Sequence, residues 1–161
     1  MRARRASPGR SWLVAAAAAV ALAGCTSVPH AARDRDAEAR QFITHPGTAT
    51  LYVFRDDFPV GSGHMRDSVL YANGRLIGAT LSRTYFRIDL RPGTQLLHGH
   101  GFDQGRLKLD TLSGEISFVS LNVANGNSRF VLLKPEDAKR KLLRCCVLLE
   151  NWTPGQRPLL R

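Results

Sequence analysis

Lysine is almost absent from this chain. Among 23 basic residues only Lys108, Lys134, Lys139 and Lys141 are lysines, and the arginines are scattered. Nucleic-acid recognition needs clustered cations with a recognition element or interleaved aromatics, and the chain has neither, so no nucleic-acid partner is expected. Cysteine is equally scarce, limited to Cys25, Cys145 and Cys146, and the Cys-x-x-Cys spacing of dithiol redox enzymes is missing. No apolar run approaches the roughly 20 residues that a helix needs to cross a bilayer. Gly61, Gly63, Gly99, Gly101 and Gly105 lie in loops, none of them between a strand and a helix, which removes a phosphate-cradling loop.

What remains is the composition of a globular protein. Hydrophobic residues at 43% and charged ones at 22% suit a packed chain, and 161 residues suffice for one domain. The formal net charge of +10 is unevenly placed. Four arginines and no acid fall within the first 24 residues, so the remainder has 19 basic and 13 acidic residues, or +6. A surface of that sign favours anionic partners such as lipid headgroups or acidic polymers.

The first 24 residues read as an address rather than a structural element. Arg2, Arg4, Arg5 and Arg10 precede an uncharged run from Trp12 to Ala23. As a helix that run covers roughly 18 Å, short of the ~30 Å hydrocarbon core of a bilayer. A basic start, a short apolar middle and small residues at the end describe a bacterial-type export signal. The run closes on Leu22-Ala23-Gly24-Cys25, which resembles the lipobox of bacterial lipoproteins. That resemblance implies a diacylglyceryl group on the Cys25 thiol, cleavage before Cys25, and acylation of the new amino terminus. A thiol is the strongest nucleophile available, and two small residues leave enzymes room to reach it. Thr26, rather than Asp, follows Cys25, and the resemblance then implies the outer membrane, facing the periplasm. Two or three acyl chains make a durable anchor where one is marginal.

The chain thus divides into a signal peptide (1–24), an acylated N-terminus and tether (25–46), a β-sandwich domain with a C-terminal helix (47–150) and a tail (151–161). In the tether, "RDRDAEARQF" has only Ala37, Ala39 and Phe42 as small or apolar support for a short helix, and it reads as a partly ordered spacer.

Period-two patterning begins at Thr48 and runs to Leu133. In "TATLYVF", Ala49, Leu51 and Val53 face one side, Tyr52 and Phe54 the other. Asn73-Gly74 between apolar stretches predicts a hairpin. "TYFRIDL" leads into the turn Arg91-Pro92-Gly93, and "TQLLHGH" follows. In "RLKLDT", Leu107 and Leu109 point inward while Arg106, Lys108 and Asp110 point out. A Ser-Gly turn precedes "EISFVSLNV", and Asn125-Gly126 precedes "NSRFVLL". Seven or eight short strands at close spacing read as an antiparallel sandwich or barrel, and the expectation is an all-β, antiparallel β-sandwich of immunoglobulin- or transthyretin-like form. One helix closes it. Pro135 suits its first position, Glu136 and Asp137 its positive end, and Ala138, Leu142, Cys146 and Leu149 form an apolar stripe with Leu143 beside it. Lys139, Arg140, Lys141 and Arg144 form its solvated face. Trp152 is expected to lay the tail over the surface.

This strand-and-turn pattern resembles small bacterial lipoproteins and exported proteins of the DUF2846 type, a domain family of unknown function. The likeness rests on Ala49 to Arg55, on Asn73, Gly74, Ile77 and Gly78, and on Tyr85, Phe86, Pro92 and Gly93. Gly114, Glu115 and Phe118 extend it, and Glu136–Cys145 matches the closing helix in placement. Ser117 departs from the Tyr of many relatives. The resemblance spans about residues 47–146. It implies the sandwich and no activity, because the matched residues are turn glycines and core aromatics.

Candidate chemistry is thin. His98 and His100 lie two apart on a predicted strand and share a face, and with Asp103 they would begin a metal site, although no third ligand is identifiable. Ser62, His64 and Asp67 have triad chemistry but sit within six residues of one loop, without the separate elements or strained turn that fix such a site. Cys145-Cys146 allows a vicinal disulfide, a crosslink between chains, or burial in the reduced state; adjacent helical side chains diverge by about 100°, which suits one buried and one exposed.

The expectation is a non-catalytic, lipid-anchored envelope protein that presents a sandwich surface near Tyr52, Tyr71 or Tyr85 to an envelope partner. Its partners would be membrane lipid through Cys25 and an envelope protein, with no cofactor. The alternatives are a small-ligand or metal-binding periplasmic module, and an enzyme of unrecognised type.

Overall fold

A computed structural model of the chain describes residues 30–56, 68–100, 105–124 and 127–151. In chain order these form α1 (Arg33–Ala39), β1 (Ala49–Arg55), β2 (Ser68–Ala72), β3 (Arg75–Thr80), β4 (Thr84–Leu90) and β5 (Gly93–His98). β6 (Arg106–Thr111), β7 (Ile116–Ala124), β8 (Asn127–Leu133), α2 (Pro135–Cys145) and β9 (Val147–Leu148) follow. The expected export signal, Cys25, the candidate residues Ser62, His64 and Asp67, Asp103, Asn125-Gly126 and Trp152 lie outside the described residues.

Two sheets face one another, ordered β8-β7-β1-β4-β9 and β3-β2-β5-β6. The four-stranded sheet is antiparallel throughout. The five-stranded sheet is mixed, because β1 runs parallel to β7 and β9 parallel to β4. The expected all-antiparallel order is corrected here. Local turns fix only consecutive strands, while β7 and β9 reach their partners through long crossovers that leave no hairpin signal.

Every residue of β1 is buried. Its alternation sends Leu51 and Val53 into the space between the sheets, beside Phe86, Ile88, Val119, Leu121, Leu70 and Leu97. Tyr52 and Phe54 enter a second core on the opposite face, with Tyr85, Phe118, Ala138 and Leu142. That second core is roofed by both helices, so the domain has three layers and is β-rich rather than all-β. The alternation read from "TATLYVF" holds residue by residue.

Other local expectations hold as well. Asn73 and Gly74 both take positive φ, 51° and 74°, as a two-residue hairpin of matching twist requires. The Asn73 side chain also accepts from the Leu96 backbone N–H at 2.9 Å and donates to Gln95 Oε1 at 2.6 Å, tying this turn to β5. Gln95, buried, continues the network to Thr111 Oγ1 and the Arg91 carbonyl. In β6, Arg106, Lys108 and Asp110 are exposed while Leu109 is buried.

The closing helix needs one correction. Ala138 and Leu142 are its buried stripe, but the helix ends at Cys145 and Cys146 is already extended. Leu149 lies past β9 and packs between the sheets, so it is not a helical position. Leu143 is exposed. No helix among the described residues is long and apolar enough to cross a membrane.

Gly105, at the start of β6, lies so close to β8 that a Cβ would overlap the Ser128 carbonyl oxygen. Backbone, not a flexible side chain, is the obstacle. Gly105→Ala should therefore destabilise the domain by about 1–3 kcal/mol through forced separation of β6 from β8. Denaturant unfolding of the two proteins reads this directly, and an unchanged midpoint would show that the approach is looser than described.

Candidate functional site

The outer face of the four-stranded sheet carries the histidines singled out in the sequence. Register pairs Leu76 with Tyr71 across β3 and β2, Tyr71 with His98 across β2 and β5, and His98 with Arg106 across β5 and β6. Cross-strand partners share a face, so these four side chains form one row. The His98 and Tyr71 rings stack at 4.9 Å between centroids and within 3° of parallel. His100 covers the other part of the phenol ring at 5.7 Å, its Nδ1 lying 3.2 Å from the Tyr71 hydroxyl. His98 Nδ1 is 2.6 Å from the Gly99 carbonyl oxygen, which can only accept, so Nδ1 carries hydrogen.

His98 and His100 thus do share a side, and both rings stack on the phenol of Tyr71. Among the described residues no cluster of three His, Cys, Asp or Glu side chains is placed to hold a metal ion. The arrangement is instead a part-exposed aromatic stack edged by Arg106 and, one row on, by Leu96 and Lys108, which are paired across β5 and β6. Leu96 is exposed. Flat rings beside cations suit contact with a partner surface.

Tyr52 and Tyr85 belong elsewhere. Both are fully buried beneath the helices, which corrects the expectation of a surface near either. Tyr52 stacks between Phe118 and Tyr85 at 5.3 and 6.0 Å, and Phe42 closes edge-on over Tyr52 at 5.3 Å. Each phenol needs a partner in that setting. Tyr52 donates to the Ala39 carbonyl at 2.6 Å, and burial pushes its pKa up to about 12 against the smaller opposing pull of Arg87. Tyr85 donates to Asp36 at 2.8 Å; burial, then that carboxylate, raises its pKa further still.

Asp36 is the structural surprise. Its Oδ1 accepts from the Tyr85 hydroxyl and from the Leu148 backbone N–H at 2.9 Å, and its Oδ2 accepts from Arg40 Nε at 2.6 Å. Arg40 in turn donates to the Cys146 carbonyl. His30 forms a bridge with Leu149, and the Ala31 N–H donates to the Leu148 carbonyl at 2.9 Å. From His30 onward, then, the segment read as spacer is packed onto the domain. Its sequence signal was present: two acids in the first turn of α1, Arg40 four residues after Asp36, and Ala39 and Phe42 on the buried side. What the sequence lacked was the partner, β9, which is 112 residues distant from Asp36 at Leu148.

Cys145 and Cys146 are joined in a vicinal disulfide where α2 gives way to β9. Cys146 is buried and Cys145 half-buried, but Cys146 is already extended, so the expected divergence of two helical positions does not apply to the pair. A groove of about 310 Å³ opens beside this junction, lined by His30, Ala31, Arg33, Asp36, Val147 and Leu148. Comparison with protein families, with curated proteins and with solved structures finds no match for this chain.

The Asp36 clamp has a definite pH signature. Burial works to raise its pKa, but the Tyr85 hydroxyl, Arg40 and the Leu148 N–H together outweigh that and hold it below the ordinary 3.8. A carboxylate depressed on folding contributes stability that is complete above its unfolded pKa and is lost as pH falls through the folded one. Asp36→Asn should cost about 1.5–3 kcal/mol near neutrality, the range for hydrogen bonds to a charged group. The stability gap between wild type and variant should narrow only as pH drops below 3.8. Thermal melts at a series of pH values measure this, and a gap independent of pH would show that the carboxylate charge is not what holds α1.

Proposed function

We propose that this chain is an exported, lipid-anchored envelope protein with no catalytic role of its own, which presents the outer face of its four-stranded sheet to another envelope component. Membership of the DUF2846-type lipoproteins, an outer-membrane location facing the periplasm, and an immunoglobulin- or transthyretin-like reading of the two facing sheets belong to the same proposal. The observation that carries it is the complete Leu22-Ala23-Gly24-Cys25 motif behind a basic and then apolar start. Cleavage there would leave Cys25 only five residues before His30, which bridges Leu149. The row Leu76, Tyr71, His98 and Arg106 supports the choice of surface, since it lies on the side of the domain opposite the helices. Strand addition at β3 or β6, the edges of that sheet, would place a partner's backbone next to the row.

The mass of the N-terminal peptide from a membrane fraction tests the anchor. It should begin at Cys25 and carry acyl mass, and the Cys25→Ser chain should remain uncleaved and unacylated. A peptide that starts elsewhere without lipid would make the protein a soluble exported domain and remove the membrane from its function.

A further inference from the structure

We propose that the C-terminal half of α2, with β9, rests on an anionic lipid headgroup surface, so that the membrane fixes the orientation of the domain as well as its location. The inference rests on the lipid-anchor reading and goes beyond it. From Lys139 to Val147 the chain has four cations, Lys139, Arg140, Lys141 and Arg144, and no acid. Leu142 is buried against the sheet, so Arg140 and Arg144, two residues to either side of it, point the opposite way. Two aliphatic side chains are exposed in the same stretch, Leu143 at 47% and Val147 at 40%. Apolar tips among cations are what an interfacial surface presents to headgroups and the acyl boundary. Acidic neighbours offset part of the charge, Asp137 beside Arg140 and Asp56 beside Lys141, and the stretch stays net positive.

The leash is short and enters at this place. Five residues from Cys25 to His30 span at most about 18 Å. His30 bridges Leu149, two residues beyond Val147, or about 7 Å along an extended chain. An acylated Cys25 therefore holds β9 and the end of α2 near the headgroups. The helices and the four-stranded sheet are the two outer layers, so docking by α2 turns the Tyr71, His98 and Arg106 row toward the aqueous side.

The scarcity of lysine provides the test. Lys108 is on the outer sheet face, while Lys139 and Lys141 are on α2. Full-length acylated protein is reconstituted into phosphatidylcholine vesicles with and without phosphatidylglycerol, and its lysines are labelled with an amine-reactive reagent. With phosphatidylglycerol present, labelling of Lys139 and Lys141 should fall several-fold relative to detergent solution, with Lys108 unchanged. The double variant Arg140→Glu, Arg144→Glu should lose that protection while still sedimenting with the vesicles. Lys139 is half-buried over the Phe42 ring, so each lysine is compared with itself in detergent solution. Labelling of Lys139 and Lys141 that does not fall in acylated, vesicle-bound protein would overturn the docking and leave the anchor standing. A mature chain without acyl mass at Cys25 would overturn both.

Discussion

The burial of β1 on both faces governs this structure. A strand at the centre of a sheet can leave one face to water only if that face is polar, and "ATLYVFR" has no such face. Leu51 and Val53 demand one apolar cover and Tyr52 and Phe54 another. The four-stranded sheet provides the first and the helices the second. Burying side chains of this size is worth about 1.5–3 kcal/mol each, so neither cover is dispensable in a domain whose net stability is of order 5–15 kcal/mol.

The second cover brings the polar problems that shape the candidate sites. Aromatic rings fill the space beneath two short helices, and the phenol hydroxyls must still be bonded. Tyr52 uses the end of α1 and Tyr85 uses Asp36. The same carboxylate takes the backbone N–H of Leu148, so one side chain joins the N-terminal segment, β4 and β9. Arg55, at the end of β1, is handled similarly: its buried guanidinium donates to the Thr80 carbonyl at 2.8 Å and to Ser82. His30, Ala31 and Asp36 are held at Leu148 and Leu149, just past the basic end of α2. A lipid at Cys25 would act there and leave the opposite sheet face free for a partner.

Much of the domain was legible because it is local. The Asn73-Gly74 hairpin, the Ser-Gly turn before β7, the alternation in β1 and β6 and the Pro135 start of α2 each depend on residues within a few positions of one another. The role of α1 was not legible, because seven charged and small residues have no helical preference strong enough to stand alone, and its stability comes from Tyr85 and Leu148. The stripe drawn through Leu149 failed for a related reason. The vicinal disulfide, extended Cys146 and the pairing of Val147 with Thr84 end the helix, and three further residues carry Leu149 across to the other core.

By itself the sequence determined the basic and then apolar start that closes on Leu22-Ala23-Gly24-Cys25, the strand-rich character, the hairpin turns and the inward or outward sense of most strand residues. Those follow from composition and from periods of two or a few residues. Only the tertiary structure decided that β1 lies parallel to β7, that the face bearing Tyr52 and Tyr85 is covered rather than exposed, and that Tyr71 stacks with both His98 and His100. It also decided that the chain is clamped from His30 onward. Each of these joins residues tens of positions apart, and they become neighbours only when both faces of β1 have been covered.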